Sequence, residues 1–136
     1  MSDLGPRIAM RARQLVGTPF RLHGRDAQTG FDCVGLVADC LNWARRGDGV
    51  TAPQGYRLRN SDVGKYLAFA RTAGLAGCSG KEMPGDILHV HPGPGQDHLL
   101  IVESDGTYIH AHAGLRRVVA TPGPLCDPLL HHWRAK

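Results

Sequence analysis

No apolar run in these 136 residues approaches the roughly 18 to 20 that cross a bilayer, so no membrane insertion is expected. The opening segment, MSDLGPRIAMRARQLVGTPF, breaks any apolar stretch with Asp3, Arg7, Arg11 and Arg13, and no secretory leader is expected from it. The four cysteines, Cys33, Cys40, Cys78 and Cys126, lack CxxC spacing. Without a leader, a reducing compartment is the simpler setting, in which Cys40, Cys78 and Cys126 are expected to be small buried apolar residues. Basic charge is in mild excess only, with sixteen Lys and Arg against twelve Asp and Glu for a net charge of +4. The arginines are spread along the chain rather than gathered in a stripe, which argues against a nucleic-acid partner. Repeats and low-complexity segments are also missing. With 42% apolar and 21% charged residues, the chain is expected to close one core as a single domain, 1–136.

What is present is a change of periodicity near Pro84. Ile8, Ala9, Ala12, Leu15 and Val16 recur at helical spacing over Leu4 to Val16, ended by Gly17 and Pro19. The polar, glycine-punctuated stretch from Arg21 to Gly30 reads as a loop. A second helix is expected over Asp32 to Trp43, with Asp32 as its N-cap and Val34, Val37, Ala38 and Leu41 on its inner face. Residues 45–60 read as a surface connection, and Val63 to Ala73 returns to helical spacing. Beyond Pro84, four short β-type runs follow: Asp86 to Val90, His98 to Glu103, Thr107 to His112 and Arg116 to Ala120. Asp105-Gly106 reads as a hairpin turn, since Gly accepts the positive φ such turns need. Helices followed by a meander of strands predict an α+β fold, with N-terminal helices packed on an antiparallel sheet. His131 and His132 read as a polar tail.

A cysteine becomes a strong nucleophile when its thiolate is stabilised, and the first turn of a helix offers unpaired N–H groups for that purpose. Cys33 is expected there, as a solvent-facing thiol. Such a nucleophile also needs a base in contact with it and a group that orients the base. His98 opens the apolar run LLIV and His110 ends the following strand, so an antiparallel pairing can bring the two together at one end of the sheet. On spacing alone, a packing cysteine and chance proximity among eight histidines remain the alternative.

Five segments, in order, resemble the successive motifs of the NlpC/P60 cysteine peptidases. They are Gly17-Thr18-Pro19-Phe20, Gly30-Phe31-Asp32-Cys33-Val34-Gly35-Leu36-Val37, Pro84-Gly85-Asp86-Ile87-Leu88, Asp97-His98-Leu99-Leu100-Ile101-Val102 and Tyr108-Ile109-His110-Ala111. The resemblance implies a papain-like α+β fold over roughly residues 5–120, with Cys33 as nucleophile, His98 as base and His110 as the third polar residue. It also implies hydrolysis of amide bonds in peptidoglycan stem peptides through an acyl-enzyme, with no metal and no cofactor. The backbone N–H of Cys33 would help meet the oxyanion.

Two positions depart from the family pattern. Phe20 stands where the family usually has Tyr, whose hydroxyl helps the oxyanion, and Val34 stands where Ser is usual. His23, in the same loop as Phe20, is the candidate substitute, and Asp32 adjoins the nucleophile. These variations look like the phage or gene-transfer-agent branch. That branch implies a protein made in the cytoplasm and carried to the wall by a phage-like particle, with tail proteins as partners. The alternatives are an amidase or acyltransferase with the same triad, a non-catalytic tail-tip component, and a zinc site on the alternating pairs His89-x-His91 and His110-x-His112.

Overall fold

The computed structural model describes residues 3–53 and 63–136, in which helices precede a sheet. Helix α1 (Leu4–Gln14) buries Ile8, Ala9 and Ala12, the face its periodicity marks out. Val16 was expected on that face but is 41% exposed, because the helix ends before reaching it. Helix α2 (Cys33–Arg45) starts at Asp32, whose carboxylate accepts the Gly35 N–H at 2.8 Å. That is the N-cap bond expected of it. Helix α3 (Val63–Thr72) lies where the third helical pattern falls. Of the connection expected over 45–60, Arg45 closes α2, residues 46–53 carry no helix or strand, and residues 54–60 lie outside the described residues.

Among the described residues, the strands in chain order are β1 (Arg25–Asp26), β2 (Gly30–Phe31), β3 (Leu75–Gly77), β4 (Ile87–Gly93), β5 (Gln96–Val102), β6 (Thr107–His112), β7 (Arg117–Pro122) and β8 (Leu129–Ala135). The last six form one antiparallel sheet in the order β3-β8-β4-β5-β6-β7. The four expected strands are β4 to β7. Strand β8 corrects the reading of His131 and His132 as a polar tail: the segment inserts between β3 and β4, and Trp133, opposite Ile87 and 5% exposed, anchors it in the core. Its weak alternation hid it, since Leu129 and Leu130 at its start are both exposed. The expected turn at Asp105-Gly106 joins the antiparallel strands β5 and β6 through a short 3-10 turn over Ser104–Gly106, and Gly106 takes the positive φ of 71°.

Alternating side chains place both faces of the sheet under cover. Ile87, Leu99, Ile101 and Ile109 join the main core with α1 and α2, while Leu88, Val90, Leu100, Val102 and Tyr108 form a smaller cluster. The loop expected over Arg21 to Gly30 contains the short antiparallel pair β1–β2, which closes over the start of α2. Gly35 permits this closure: a Cβ there would be driven into the Gly24 carbonyl and the Arg25 guanidinium. Of the three cysteines expected to be buried, only Cys40 is; Cys78 is half-buried and Cys126 exposed, because both sit in surface connections that follow β7 or the edge strand β3. Among the described residues, no helix is long and apolar enough to cross a membrane.

Candidate active site

Cys33 is the first residue of α2, and Asp32 ties the surrounding loop to that helix start. One Asp32 oxygen accepts from the Gly35 N–H and from Arg25 at 3.1 Å, and the other accepts the His23 N–H at 2.7 Å. His23 adopts a left-handed φ of 61° to make that bond. Arg25 in turn donates to the Pro53 carbonyl at 2.8 Å. The capping acid therefore works as a clamp, and its charge stands beside the sulfur.

Cys33 is 7% exposed, which corrects the expectation of a solvent-facing thiol. Burial, and then the charge of Asp32, push the thiol up to about 12. Hydrogen bonds from the Leu99 N–H, the Tyr66 hydroxyl and the Val34 N–H pull it back, but burial outweighs them and the helix start. The resting group is a neutral thiol.

The two histidines meet as the strand pairing anticipated. Strands β5 and β6 pair through Ile101–Ile109 and Val102–Tyr108, and His98 Nε2 lies 2.8 Å from His110 Nδ1 with the rings edge to face. The other ring nitrogen of His110, Nε2, lies 2.8 Å from the Thr121 hydroxyl on β7. Burial, then the neighbouring His110 and His112, push His98 down to about 3. Burial and His112 push His110 down to about 4. Both rings are neutral at neutral pH. Where His98 Nε2 donates to His110 Nδ1, His98 Nδ1 is the nitrogen that can take a proton.

Cys33, His98 and His110 line one cavity of about 400 Å³, together with Phe20, Asp32 and Tyr66. Phe20 is carried there by the segment after α1, which runs along β7: Gly17 donates to the Val118 carbonyl, Val118 to Thr18, and Phe20 to Arg116. His23 and Val34, also singled out from sequence, do not line the cavity. His23 contributes its backbone N–H to Asp32, and Val34 is 2% exposed in the core with its N–H toward the thiol.

Three contributors were missed. Thr121 lies just beyond the expected end of its strand, and Tyr66 reads as one more apolar position of a helix. The third is a buried network behind Tyr66. His89, fully buried, has Nε2 at 2.8 Å from Asp97 Oδ1 and Nδ1 at 3.1 Å from His131 Nδ1. Its ring stacks on Tyr66, with 5.0 Å between centroids and 16° between planes. The alternating His-x-His pattern was the available signal, but it pointed to a metal. Instead, His89 and His91 face one carboxylate, Asp97, at 2.8 and 3.9 Å, and His110 faces His98 and Thr121.

Among the described residues, the group with metal-binding proximity is Cys78, Asp86 and His132, whose ligand atoms lie within 4.8 Å of one another. The Asp86 carboxylate is already taken. It accepts two bonds from Arg134 at 2.8 and 2.9 Å and one from the Met83 N–H at 2.9 Å, and its Oδ2 lies 2.6 Å from His132 Nε2. A bidentate guanidinium where a cation would sit makes this a structural ion pair.

No protein-family model and no curated protein matches the sequence. Among solved structures, the NlpC/p60 domain of the peptidoglycan hydrolase SagA is 27% identical, over 87% of this chain and 88% of that one, with a TM-score of 0.57. RipB from Mycobacterium tuberculosis, a peptidoglycan hydrolase, is 23% identical over 97% of this chain and 64% of its own, with a TM-score of 0.60. NlpC2 from Trichomonas vaginalis aligns over 96% of this chain at 20% identity, with a TM-score of 0.65. This chain spans about half of that protein, 47% of its length.

Helices on an antiparallel sheet, with a cysteine at a helix start facing histidines on the strands, define the papain-like α+β class. Within that class, the chain is similar along nearly its whole length to the NlpC/P60 domain of SagA.

Proposed function

We propose that this protein is a cysteine hydrolase that cleaves amide bonds in peptidoglycan stem peptides. The observation that carries this reading is the convergence of Cys33, His98 and His110 on one cavity, with His110 bonded to the His98 nitrogen that would not face the thiol. The likeness to SagA, described as a peptidoglycan hydrolase, supports the choice of substrate. Carriage to the wall by a phage-like particle, after synthesis in the cytoplasm, belongs to the same proposal. It rests on the Phe20 and Val34 variations.

In this reading the thiol proton passes to His98 Nδ1 as sulfur attacks the carbonyl carbon. A preformed thiolate–imidazolium pair is disfavoured, because burial pushes the thiol up and the imidazole down. Proton transfer accompanies attack instead. The carbonyl π pair moves to oxygen, where the Cys33 backbone N–H at the helix start can donate. Collapse breaks the C–N bond, His98 returns the proton to the leaving amine, and water then releases the acid from the thioester.

The test is release of new amino groups from purified peptidoglycan by the wild-type chain and by Cys33→Ala, with products identified by mass. Cleavage inside the stem peptide that vanishes in Cys33→Ala supports the proposal. Release that persists in Cys33→Ala, or none from the wild type, overturns it.

A further inference from the structure

Phe20 leaves the cavity wall without the hydroxyl that the NlpC/P60 pattern usually places there. A hydroxyl is nevertheless present. Tyr66, on α3, is 5% exposed and lines the same cavity as Cys33 and His98. Its hydroxyl pulls the Cys33 thiol down by hydrogen bonding, and it donates to the Asp97 carbonyl at 3.3 Å. A phenol has one proton to donate, and a bond as long as 3.3 Å is easily surrendered.

The ring is held firmly. His89 stacks against one face, and His89 is itself fixed by Asp97 at 2.8 Å and by stacking on Trp133 at 5.6 Å. Asp97 therefore anchors Tyr66 twice, through its carbonyl and, by way of His89, through its carboxylate. This buried polar arrangement backs the Tyr66 ring, and Asp97 shares the lining of the cavity with Cys33.

We propose that Tyr66 is a catalytic residue, supplying from α3 the hydroxyl that meets first the Cys33 sulfur and then the developing oxyanion, with His89 and Asp97 as its positioning residues. The proposal rests on the hydrolase reading above. In the attack step the S–C bond forms, the thiol proton goes to His98, and the carbonyl oxygen takes the π pair. Tyr66 keeps its proton and moves its hydrogen bond from sulfur and the Asp97 carbonyl to that oxygen. Such a donor strengthens its interaction only as charge develops, which lowers the barrier without tightening substrate binding.

The experiment compares the wild type, Tyr66→Phe and the double variant Tyr66→Phe/Phe20→Tyr. Each is assayed for kcat and KM on peptidoglycan and for the pH dependence of Cys33 alkylation by iodoacetamide, which needs no substrate. Tyr66→Phe is expected to lose about 100-fold in kcat with KM unchanged, to shift alkylation to higher pH, and to regain activity when Phe20→Tyr returns a hydroxyl elsewhere in the cavity lining. A merely structural tyrosine would not be rescued from another position.

Unchanged kcat in Tyr66→Phe, with the wild type active, overturns the proposal and leaves the hydrolase reading standing. If the wild type releases nothing from peptidoglycan, the hydrolase reading falls by itself. An alkylation profile that Tyr66→Phe then leaves unmoved overturns the Tyr66 contact as well, and an upward shift supports it.

Discussion

His98 Nε2 and His110 Nδ1 stand 2.8 Å apart, and the far nitrogen of His110 stands 2.8 Å from the Thr121 hydroxyl. This line of three groups couples the tautomers of the two rings. If Thr121 accepts the His110 Nε2 proton, His110 Nδ1 is bare and must accept from His98 Nε2–H, which leaves His98 Nδ1 free to act as a base.

Thr121→Val removes the acceptor at the end of that line. A fall of about 10-fold in kcat with KM unchanged is expected, with Thr121→Ser close to wild type. His110→Ala should cost more than Thr121→Val, and His98→Ala more than either, since an orienting group contributes less than the base it orients. Steady-state kinetics on one peptidoglycan preparation ranks the four variants. Equal losses for His98→Ala and His110→Ala would show that the division between base and orienting group is wrong.

Cys33→Ala is expected to abolish turnover while the domain stays folded. The sulfur is buried, so its removal leaves a small void costing on the order of 1 kcal/mol, well inside the stability of a domain this size. Thermal denaturation followed by circular dichroism checks this. An unfolded Cys33→Ala would place the residue among the structural core positions.

Asp32→Asn separates the two roles of the capping residue. Asn accepts the Gly35 N–H as Asp does, so the cap is retained, but the negative charge beside the sulfur is gone. That charge helps push the thiol up. Alkylation of Cys33 should therefore move to lower pH in Asp32→Asn, although burial still holds the thiol above its ordinary range. A shift to higher pH would show that Asp32 acts on the thiol mainly through the loop it clamps.

Acid should destabilise the domain in two stages. His98 and His110 are held down to about 3 and about 4 from an ordinary value of 6.5, so the unfolded chain binds their protons first. Stability is thus full above pH 6.5 and falls as pH drops toward 4, by about 1.4 kcal/mol for each unit by which one such buried histidine is depressed. At lower pH the carboxylates follow. Burial pushes Asp86 up, but its bonds to Arg134, His132 and the Met83 N–H hold it below its ordinary value, and Arg13 and Ser104 do the same for Glu103. Their contribution is lost as pH falls through those lowered values. Melting temperature against pH reads both stages, and His110→Asn should flatten the first.

Much of this architecture was legible because it follows from local rules. Asp32 caps α2 with its own side chain, Ile8 and Ala12 repeat at the helical period, and β4 to β7 are β-type runs separated by Gly, Asp and Pro that can be read singly. The pairing of His98 with His110 was readable for a similar reason, since two consecutive antiparallel strands keep their ends together. Strands β3 and β8 were not legible. Each is short or weakly alternating and becomes a strand only because the other, or β4, offers it hydrogen bonds.

The amino-acid sequence by itself determined the fold class, the helix that Cys33 starts and the identity of the three groups that meet in the cavity. Tertiary structure decided their chemical state. Burial made the Cys33 thiol and both histidines neutral, against what a helix start alone promises, because loss of water costs a charge more than a few amide hydrogen bonds return. It also decided which hydroxyls count. Tyr66 and Thr121 reach the site from α3 and β7, elements distant in sequence from Cys33 and, for Tyr66, from either histidine, and only the closing of the sheet against the helices brings them there.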